Sequence, residues 1–288
     1  MKIFKFIKYL IEFIIIMAFF FIFKIIGLKN SIFLSEKIFK IFGQFFRSKK
    51  IITKNLNIAF PDKDIETNQN IIKNMWSFYG RIFAEYPFLK RFRENKEKNI
   101  EINGMNILEK IKKDKDPVIF ISGHFDNFEL MAMQIEKSGV KLSTIYRPLN
   151  NLFMNKIMEK LRKKYICKNQ IKKGKLGLRE SLRLFNNGYS MALMIDQRVS
   201  EGVKVKFFNK EAYTTSIPAQ FVKKFNCKIV PINIERINCS NFKIYIFEPF
   251  EFNKDASIRE ITYQLNKWLE KIIIKNPTKW IWSHDRWK

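Results

Sequence analysis

The chain has 288 residues and a formal net charge of +27, because 54 lysines and arginines stand against 27 aspartates and glutamates. That length permits one large domain or two small ones, and the charge predicts a surface attracted to anionic lipid, acidic protein or nucleic acid, with a codon bias toward lysine as the alternative explanation. Three cysteines without CxxC or CxxxC spacing and only two histidines argue against a disulfide framework and against a zinc site.

The N-terminal residues predict a membrane anchor over residues 1–30. An uncharged apolar block, Phe13–Phe23, follows a basic start and is itself followed by Lys24. The block is shorter than the ~20 apolar residues that a spanning helix prefers, but lysines at its ends can snorkel. A cleaved signal peptide is the alternative, although no small-x-small site follows. Because more basic residues follow the block than precede it, the positive-inside rule places the rest of the chain on the cytoplasmic side.

The next segment, residues 31–50, predicts an amphipathic helix in the membrane interface. Over Ser31–Arg47, phenylalanines, isoleucines and a leucine are interspersed with lysines, a pattern typical of helices that lie along a bilayer surface. The alternative is a core helix whose lysines are solvated. Both interpretations leave a domain that rests on the membrane.

From residue 55 onward the chain alternates helical patterns with short apolar runs. A polar turn is predicted at Asn55–Pro61 and a charged surface linker at Arg91–Lys98. Helices are predicted over 64–86, around 107–111, from 126, and over 153–161, 176–185, 216–225 and 258–274. Strands are predicted over 118–121, 141–146, 189–195, 203–208, 229–234 and 243–247. The alternation predicts one globular α/β domain over residues 31–288, with a largely parallel central sheet flanked by helices.

The stretch PVIFISGHFDNFE, Pro117–Glu129, carries the candidate chemistry. Its apolar run predicts a strand buried on both faces, and the run delivers His124 to a turn at the end where open α/β sheets hold their sites. A helix that starts at Asp126 would let Glu129 face the same pocket, so that the carboxylate orients an imidazole acting as general base. The alternative is structural: Asp126 and Glu129 have capping-box spacing, and His124 is then a satisfied turn histidine.

Two further polar residues follow apolar strands at the same predicted edge. Arg147 comes after one strand and Asp196 after another. An arginine there can hold a phosphate in bidentate fashion, whereas the alternative is an Arg–Asp pair that ties loops together. The sequence has no GxSxG, and Ser122 has no second base nearby. Direct attack by a substrate hydroxyl is therefore more economical than a covalent enzyme intermediate.

The C-terminal residues include a cluster of tryptophans. Trp280, Trp282 and Trp287 lie beside His284 and Arg286. Such a cluster can form a platform for single-stranded nucleic acid. More often it packs a tail onto its domain or meets a membrane interface. An apolar N-terminal anchor gives no support to nucleic-acid binding, so we expect no nucleic acid partner.

Several blocks resemble a known family. GHFDNFE resembles the HX4(D/E) signature of glycerolipid acyltransferases, and in the branch of bacterial lipid A late acyltransferases (lauroyl and myristoyl transferases) this block commonly reads H-x-G-N-W-E. Four other blocks resemble that branch in the same order: NLNIAFP, IYRPLNN with the following LRKKY, MIDQRVSEGVKVKFFNKEAYTTSIPA and PTKWIWSHDRWK. Together they span about residues 40–288.

The resemblance implies transfer of a fatty acyl chain from an acyl carrier protein thioester to a hydroxyl of a lipid A precursor. It implies the cytoplasmic face of the inner membrane as the location, with no metal and no organic cofactor. By motif, His124 corresponds to the general base and Glu129 to its acidic partner. The residues that the matching blocks place near the substrates are Arg147, Arg162, Asn127, Asp196 and Gln197.

This chain departs from the pattern of that branch at four positions. Asp126 replaces the usual glycine and Phe128 the tryptophan, while Arg198 stands where a second aspartate is frequent and Asp285 where an arginine is frequent. The acceptor therefore stays open between a lipid A precursor and another lysophospholipid or glycolipid, and a non-catalytic lipid-binding protein on the same fold is a further alternative. The basic surface suits a phosphorylated acceptor, an acidic carrier protein and an anionic membrane.

Overall fold

The computed structural model describes residues 2–45, 47–95 and 98–288. Its centre is a sheet of mostly short strands, and the sequence prediction of a mixed α/β fold is confirmed. The strands of the described residues are β1 Ile100–Asn103, β2 Ile119–Ser122, β3 Leu142–Tyr146, β4 Asn169–Lys172, β5 Ser190–Met194, β6 Val203–Phe207, β7 Lys210–Thr214, β8 Ile229–Arg236 and β9 Phe242–Ile246.

Seven strands form the main sheet in the order β1-β9-β8-β2-β5-β3-β4. Every neighbouring pair is parallel except β8 and β9, which are antiparallel. The prediction of a largely parallel sheet is therefore confirmed. The remaining strands, β6 and β7, pair with each other as a separate antiparallel hairpin.

The helices that flank the sheet in the described residues agree broadly with the predicted ones. They are α1 Lys2–Phe42, α2 Lys49–Ala59, α3 Ile65–Glu85, α4 Leu89–Glu94, α5 Met105–Asp114, α6 Glu129–Lys137, α7 Leu152–Tyr165, α8 Lys175–Asn186, α9 Ile217–Phe225 and α10 Ile258–Lys275.

Two local predictions are wrong. Asn55 lies on α2, and the turn predicted there begins only at Pro61. Much of the predicted linker Arg91–Lys98 is the end of α4, while Lys96 and Glu97 lie outside the described residues.

The strand that precedes the candidate site lies deep in the sheet. β2 is bordered by β8 on one side and β5 on the other, and Ile119, Phe120 and Ile121 are completely buried. Because β8, β2, β5 and β3 run parallel, their carboxyl ends meet at one edge. The residues that follow these strands are thereby brought together.

The first helix packs one face on the domain and exposes the other. A kink at Gly27 (φ 77°) divides it, and Ser31 closes the kink by donating to the Gly27 carbonyl at 2.7 Å. On the inner face, Phe20 and Phe23 are buried against Phe83 of α3. The exposed apolar residues before the kink are Ile3, Phe4, Phe6, Ile7, Ile11, Ile14, Ile15, Phe21, Ile22 and Ile25.

After the kink, the helix turns several of its polar side chains inward. Ser35 donates to the Gly80 carbonyl at 2.7 Å, and Glu36 pairs with Arg81 of α3 at 2.9 Å. Burial opposes ionisation of Glu36, but Arg81 and Ser77 outweigh it and lower its pKa to about 2. The apolar residues on the outside are Phe33, Leu34, Ile41, Phe42 and Phe45; Phe46 of the predicted amphipathic segment lies outside the described residues.

Both parts of α1 therefore present apolar side chains outward. The segment is long and apolar enough to cross a membrane by length and composition. Soluble monomers rarely expose contiguous apolar surface of this extent. The exposed faces are consistent with membrane association, while the division into a 1–30 anchor and a 31–288 domain stays a prediction.

The contact of α1 with α3 yields a test at Gly80. A Cβ at this position would lie 2.5 Å from the Ser35 carbonyl oxygen. Gly80→Ala should lower the free energy of unfolding by about 1–3 kcal/mol, although alanine favours helix over glycine. Unfolding of the detergent-solubilised protein, followed by tryptophan fluorescence, measures this change. Lys73→Ala, at an exposed position of the same helix, is the matched control, and equal stability of both variants would contradict the close contact.

Candidate active site

A short loop at the carboxyl end of β2 carries the candidate residues. The helix that follows begins at Glu129, whereas the sequence analysis placed its start at Asp126. Glu129 is therefore the first residue of α6 and not its third, so the capping-box alternative is wrong. Asp126 has a left-handed backbone (φ 35°), a conformation that glycine adopts freely and aspartate tolerates. This geometry explains why a glycine suits the position.

His124 is held by Asp196, which follows β5. The ring Nδ1 of His124 lies 2.8 Å from Oδ1 of Asp196, and the backbone N–H of His124 donates to Oδ2 at 2.9 Å. The indole of Trp280 donates to the same Oδ2 at 2.9 Å. Burial opposes ionisation of Asp196, but these contacts outweigh it and lower its pKa to about 2. The His124 ring also meets the Phe128 ring edge-on, with centroids 4.7 Å apart.

Glu129 faces a different set of partners. Its Oε1 accepts from the Tyr86 hydroxyl at 2.8 Å and from Nε and Nη2 of Arg162 at 2.7 and 2.5 Å. Burial and the Glu129 charge raise the pKa of Tyr86. The contacts with Glu129 and Tyr86 outweigh burial and raise the pKa of Arg162. The result is a largely buried ion pair between α6 and α7.

The predicted contact between Glu129 and His124 is therefore wrong in this structure. The imidazole is hydrogen-bonded to a carboxylate, but that carboxylate belongs to Asp196. The hydrogen bonds of Glu129 are instead with Tyr86 and with Arg162 of α7. The alternative of an Arg147–Asp196 pair is wrong as well, because Asp196 is bonded to His124 and Trp280. The roles of these residues in a reaction stay predictions.

The rest of the loop is fixed by a buried ion cluster. Arg236, at the end of β8, pairs with Glu85 of α3, and its backbone N–H donates to Asp126 at 2.9 Å. Lys279 lies 3.3 Å from the other oxygen of Asp126. Asn127, predicted to bind substrate, is 1% exposed and donates to Glu85 at 2.8 Å. The charge of Asp126 is thus compensated, and its recorded contacts are with this cluster.

Two predicted residues remain accessible at the same edge. Arg147 is exposed just after β3, and Gln197 is half-buried just after Asp196. Among the hydrogen bonds and ion pairs described for the chain, neither side chain takes part. A role of either residue in binding a substrate stays a prediction.

A half-open cavity of about 360 Å³ lies beside Tyr86. Phe88, Leu161 and Tyr165 give it apolar and aromatic walls, while Lys24 of α1 brings a positive charge to its lining. Tyr86 therefore connects this cavity to the Glu129–Arg162 pair. A cavity with apolar walls and cationic groups suits a ligand with an acyl chain and an anionic group.

The tryptophan tail is structural. Trp280, Trp282 and Trp287 are at most 7% exposed, so they cannot serve as a stacking platform, and the tail-packing interpretation is confirmed. Asn55 of the NLNIAFP block donates to the carbonyls of Trp282 and His284 at 2.8 and 2.6 Å. Arg198, a departure from the resembled pattern, donates its backbone N–H to Nε2 of His284 at 2.9 Å. Three resembled blocks thus meet in one packed unit.

Sequence reasoning missed several residues that shape the site. Tyr86, Glu85 and Arg236 reach it from a helix and a strand that carried no local signal of chemistry. Trp280 packs the C-terminal segment as predicted and, beyond that, donates to Asp196. Its place in the resembled C-terminal block was the one available indication.

The chain is similar to several known proteins. The family model described as bacterial lipid A biosynthesis acyltransferase matches residues 2–288. The lipid A biosynthesis palmitoleoyltransferase of Escherichia coli (strain K12) is 21% identical over 247 residues, covering 84% of this chain and 79% of that protein. A lipid A biosynthesis acyltransferase of Haemophilus influenzae is 23% identical over 246 residues, covering 84% of this chain and 78% of that protein.

Two other similarities are weaker in identity. The lipid A biosynthesis myristoyltransferase of Escherichia coli (strain K12) is 20% identical over 246 residues, covering 83% of this chain and 74% of that protein. Among solved structures, the 1-acyl-sn-glycerophosphate acyltransferase PlsC from Thermotoga maritima matches with 16% identity and a TM-score of 0.39. That match covers 86% of this chain and 97% of the PlsC chain.

The buried ion cluster yields a stability test. Glu85→Ala should lower the free energy of unfolding by about 3–5 kcal/mol, because it leaves the buried Arg236 without its principal anion. The double variant Glu85→Ala/Arg236→Met should be less destabilised than the two single variants together. Chemical denaturation in detergent measures these values. Glu180→Ala, in an exposed pair with Arg183, should cost less than about 1 kcal/mol; an equal loss in both single glutamate variants would exclude the cluster as the cause.

Proposed function

The chain belongs to the bacterial lipid A biosynthesis acyltransferase family and is an acyltransferase; on that premise we propose that it moves a fatty acyl chain from acyl carrier protein to a hydroxyl of a lipid A precursor. The observation that carries the proposal is the hydrogen bonding and exposure of the His124 ring. Its Nδ1 is engaged by Asp196 while its side chain keeps 19% exposure. Its second nitrogen, Nε2, has no hydrogen-bond partner among the described residues and is available to a substrate.

In this proposal His124 acts as the general base. Nε2 accepts the proton of the acceptor hydroxyl while the hydroxyl oxygen attacks the thioester carbonyl. The tetrahedral intermediate then collapses, the C–S bond breaks, and the departing thiolate of the carrier takes the proton from the imidazolium. Arg147 or backbone N–H groups of the loop between β2 and α6, residues 123–128, are our candidates for stabilising the developing oxyanion.

The Ser122 hydroxyl and the two shielded thiols, Cys167 and Cys227, which precede β4 and β8 at the opposite edge of the sheet, support direct attack over a covalent intermediate. The Ser122 hydroxyl is buried and points to the sulfur of Met131 at 3.5 Å, not to His124. Burial raises the pKa of both Cys167 and Cys227 to about 12, so these thiols are poor nucleophiles near neutral pH. With no activated nucleophile among them, the acceptor hydroxyl is the natural attacking group.

Other predicted residues receive roles that agree with their contacts. Glu129 assists by holding Arg162, whose guanidinium contacts both Glu129 and Tyr86, a residue that lines the cavity. Arg147 and Gln197 are accessible at the same edge and are proposed to contact the phosphate or the acyl-donor side. The cavity, with its apolar walls and Lys24, is proposed to receive part of a lipid substrate.

The membrane arrangement belongs to the same proposal. Residues 1–30 hold the 31–288 domain at the cytoplasmic face of the inner membrane, where a soluble acyl carrier protein meets a lipid acceptor. The outward apolar residues of α1 support this placement. A net charge of +27 favours an anionic membrane, a phosphorylated acceptor and an acidic carrier protein.

The activity is tested with His124→Ala. Purified protein in detergent is given acyl carrier protein thioester and a lipid A precursor, and mass spectrometry detects the added acyl chain. Loss of the general base should reduce turnover by about 10²–10⁴-fold, while the protein remains folded and its vesicle binding stays unchanged. Near-wild-type turnover in the variant would overturn the role of His124. Turnover on lysophospholipids in place of the lipid A precursor would instead reassign the acceptor.

The orientation is tested with the exposed Cys239. Its thiol lies at the surface between β8 and β9, whereas Cys167 is buried and Cys227 half-buried. A membrane-impermeant maleimide should label Cys239 only after the inner membrane has been permeabilised, because the domain lies on the cytoplasmic side. Cys239→Ser controls for labelling elsewhere, and labelling of Cys239 in intact spheroplasts would contradict the orientation.

A further inference from the structure

We infer that Asp196 is the positioning residue of His124, fixing the ring and its tautomer, while Glu129 acts on Arg162 instead. The inference rests on the proposed function, because it concerns how the general base is prepared. Asp196 thereby takes the role of orienting the imidazole, which the resemblance to the HX4(D/E) motif gives to Glu129. This assignment also separates two acidic residues that otherwise look interchangeable.

The carboxylate of Asp196 makes two hydrogen-bond contacts with His124. One oxygen meets the ring Nδ1 at 2.8 Å, and the other accepts the backbone N–H of the same residue at 2.9 Å. This bidentate contact fixes the loop and the imidazole relative to a single rigid group. The Trp280 indole donates to the second oxygen, which leaves the carboxylate little freedom to rotate.

The same contact selects the tautomer of the imidazole. An ionised carboxylate can only accept hydrogen bonds, and the two N–H groups that donate to Oδ2 of Asp196, the backbone N–H of His124 and the Trp280 indole, favour its ionised form. Nδ1 of His124 must therefore carry the proton in the neutral ring, and Nε2 presents a lone pair. That nitrogen is the atom that the proposed mechanism needs as a base.

The neighbouring groups do not titrate across the pH range of an assay. Burial lowers the pKa of His284 to about 4, so this ring is neutral above that pH. Burial also lowers the pKa of Arg286 to about 10, so this guanidinium keeps its charge. Burial raises the pKa of Tyr79, the nearby phenol of α3. Between about pH 5 and 9 these neighbours hold constant charges around Asp196 and His124.

Glu129 makes no hydrogen bond to His124 among the contacts of the described residues, and Nδ1 of the ring is bonded to Asp196. Oε1 of Glu129 already accepts from Tyr86 and twice from Arg162. The Arg162 cation neutralises its charge, so Glu129 offers an imidazolium little stabilisation. Its effect on the reaction passes through Arg162, which makes it a support for a substrate-binding group.

The test compares two carboxylate-to-amide substitutions, Asp196→Asn and Glu129→Gln. An amide N–H₂ facing Nδ1 forces the proton onto Nε2, so Asp196→Asn should lower kcat by about 10²–10⁴-fold with KM values nearly unchanged. Loss of the anion beside the ring should also move the acidic limb of the kcat profile to lower pH by about one unit or more. Glu129→Gln should raise KM and leave the acidic limb in place.

A second measurement works without turnover. The chain has two histidines, so a ¹⁵N-histidine spectrum contains few ring signals. His124 should appear as the Nδ1–H tautomer in the wild type and as Nε2–H in Asp196→Asn. His284, whose Nε2 accepts from the Arg198 backbone N–H, should stay Nδ1–H in both and serves as the internal reference.

The results for these variants distinguish failure of the role inferred for Asp196 from failure of the proposed function. An inactive His124→Ala beside a near-wild-type Asp196→Asn would overturn the role of Asp196 and leave the general base standing. A shift of the acidic limb in Glu129→Gln but not in Asp196→Asn would return the role to Glu129. If Asp196→Asn does not fold, the wild-type spectrum still decides, because an Nε2–H tautomer of His124 excludes the inference.

Discussion

The structure depends on finding partners for carboxylates buried at one edge of the sheet. Glu85, Asp126 and Asp196 are each at most 2% exposed, and a buried charge is tolerated only when it is paired and hydrogen-bonded. Their partners come from distant parts of the chain: Arg236 from β8, and Lys279 and Trp280 from the C-terminal segment. Compensation of these charges therefore joins a helix, a strand and the tail around the His124 loop, and the site forms only where the whole fold has formed.

This dependence explains what the sequence could and could not reveal. The buried run of β2, the turn at His124 and the alternation of strands and helices follow from local patterns. β1 and β4 were missed because they are four-residue strands at the two ends of the sheet, where polar side chains leave little apolar signal. The start of α6 was misplaced because the Asp126 carboxylate is used by Arg236 and Lys279 rather than by the helix.

Which carboxylate pairs with His124 could not be predicted from the sequence for the same reason. Glu129 is near in sequence, whereas Asp196 is 72 positions away and comes close only because β2 and β5 are adjacent parallel strands. No residue near Glu129 in the sequence indicates that its carboxylate pairs with Arg162. Likewise, the composition of α1 indicates a membrane segment but not which face is outward, because the inward turn of Glu36 is set by Arg81 and Ser77 of α3.

The left-handed backbone of Asp126 has a consequence for how this site can change during evolution. The conformation admits glycine, asparagine or aspartate most readily, and of these three only aspartate brings the charge that Lys279 and Arg236 meet. A change to glycine would leave Lys279 without this counter-ion, and a change at Lys279 would leave the carboxylate undercompensated. The stability effects of substitutions at Asp126 and Lys279 are thus expected to be coupled and not additive.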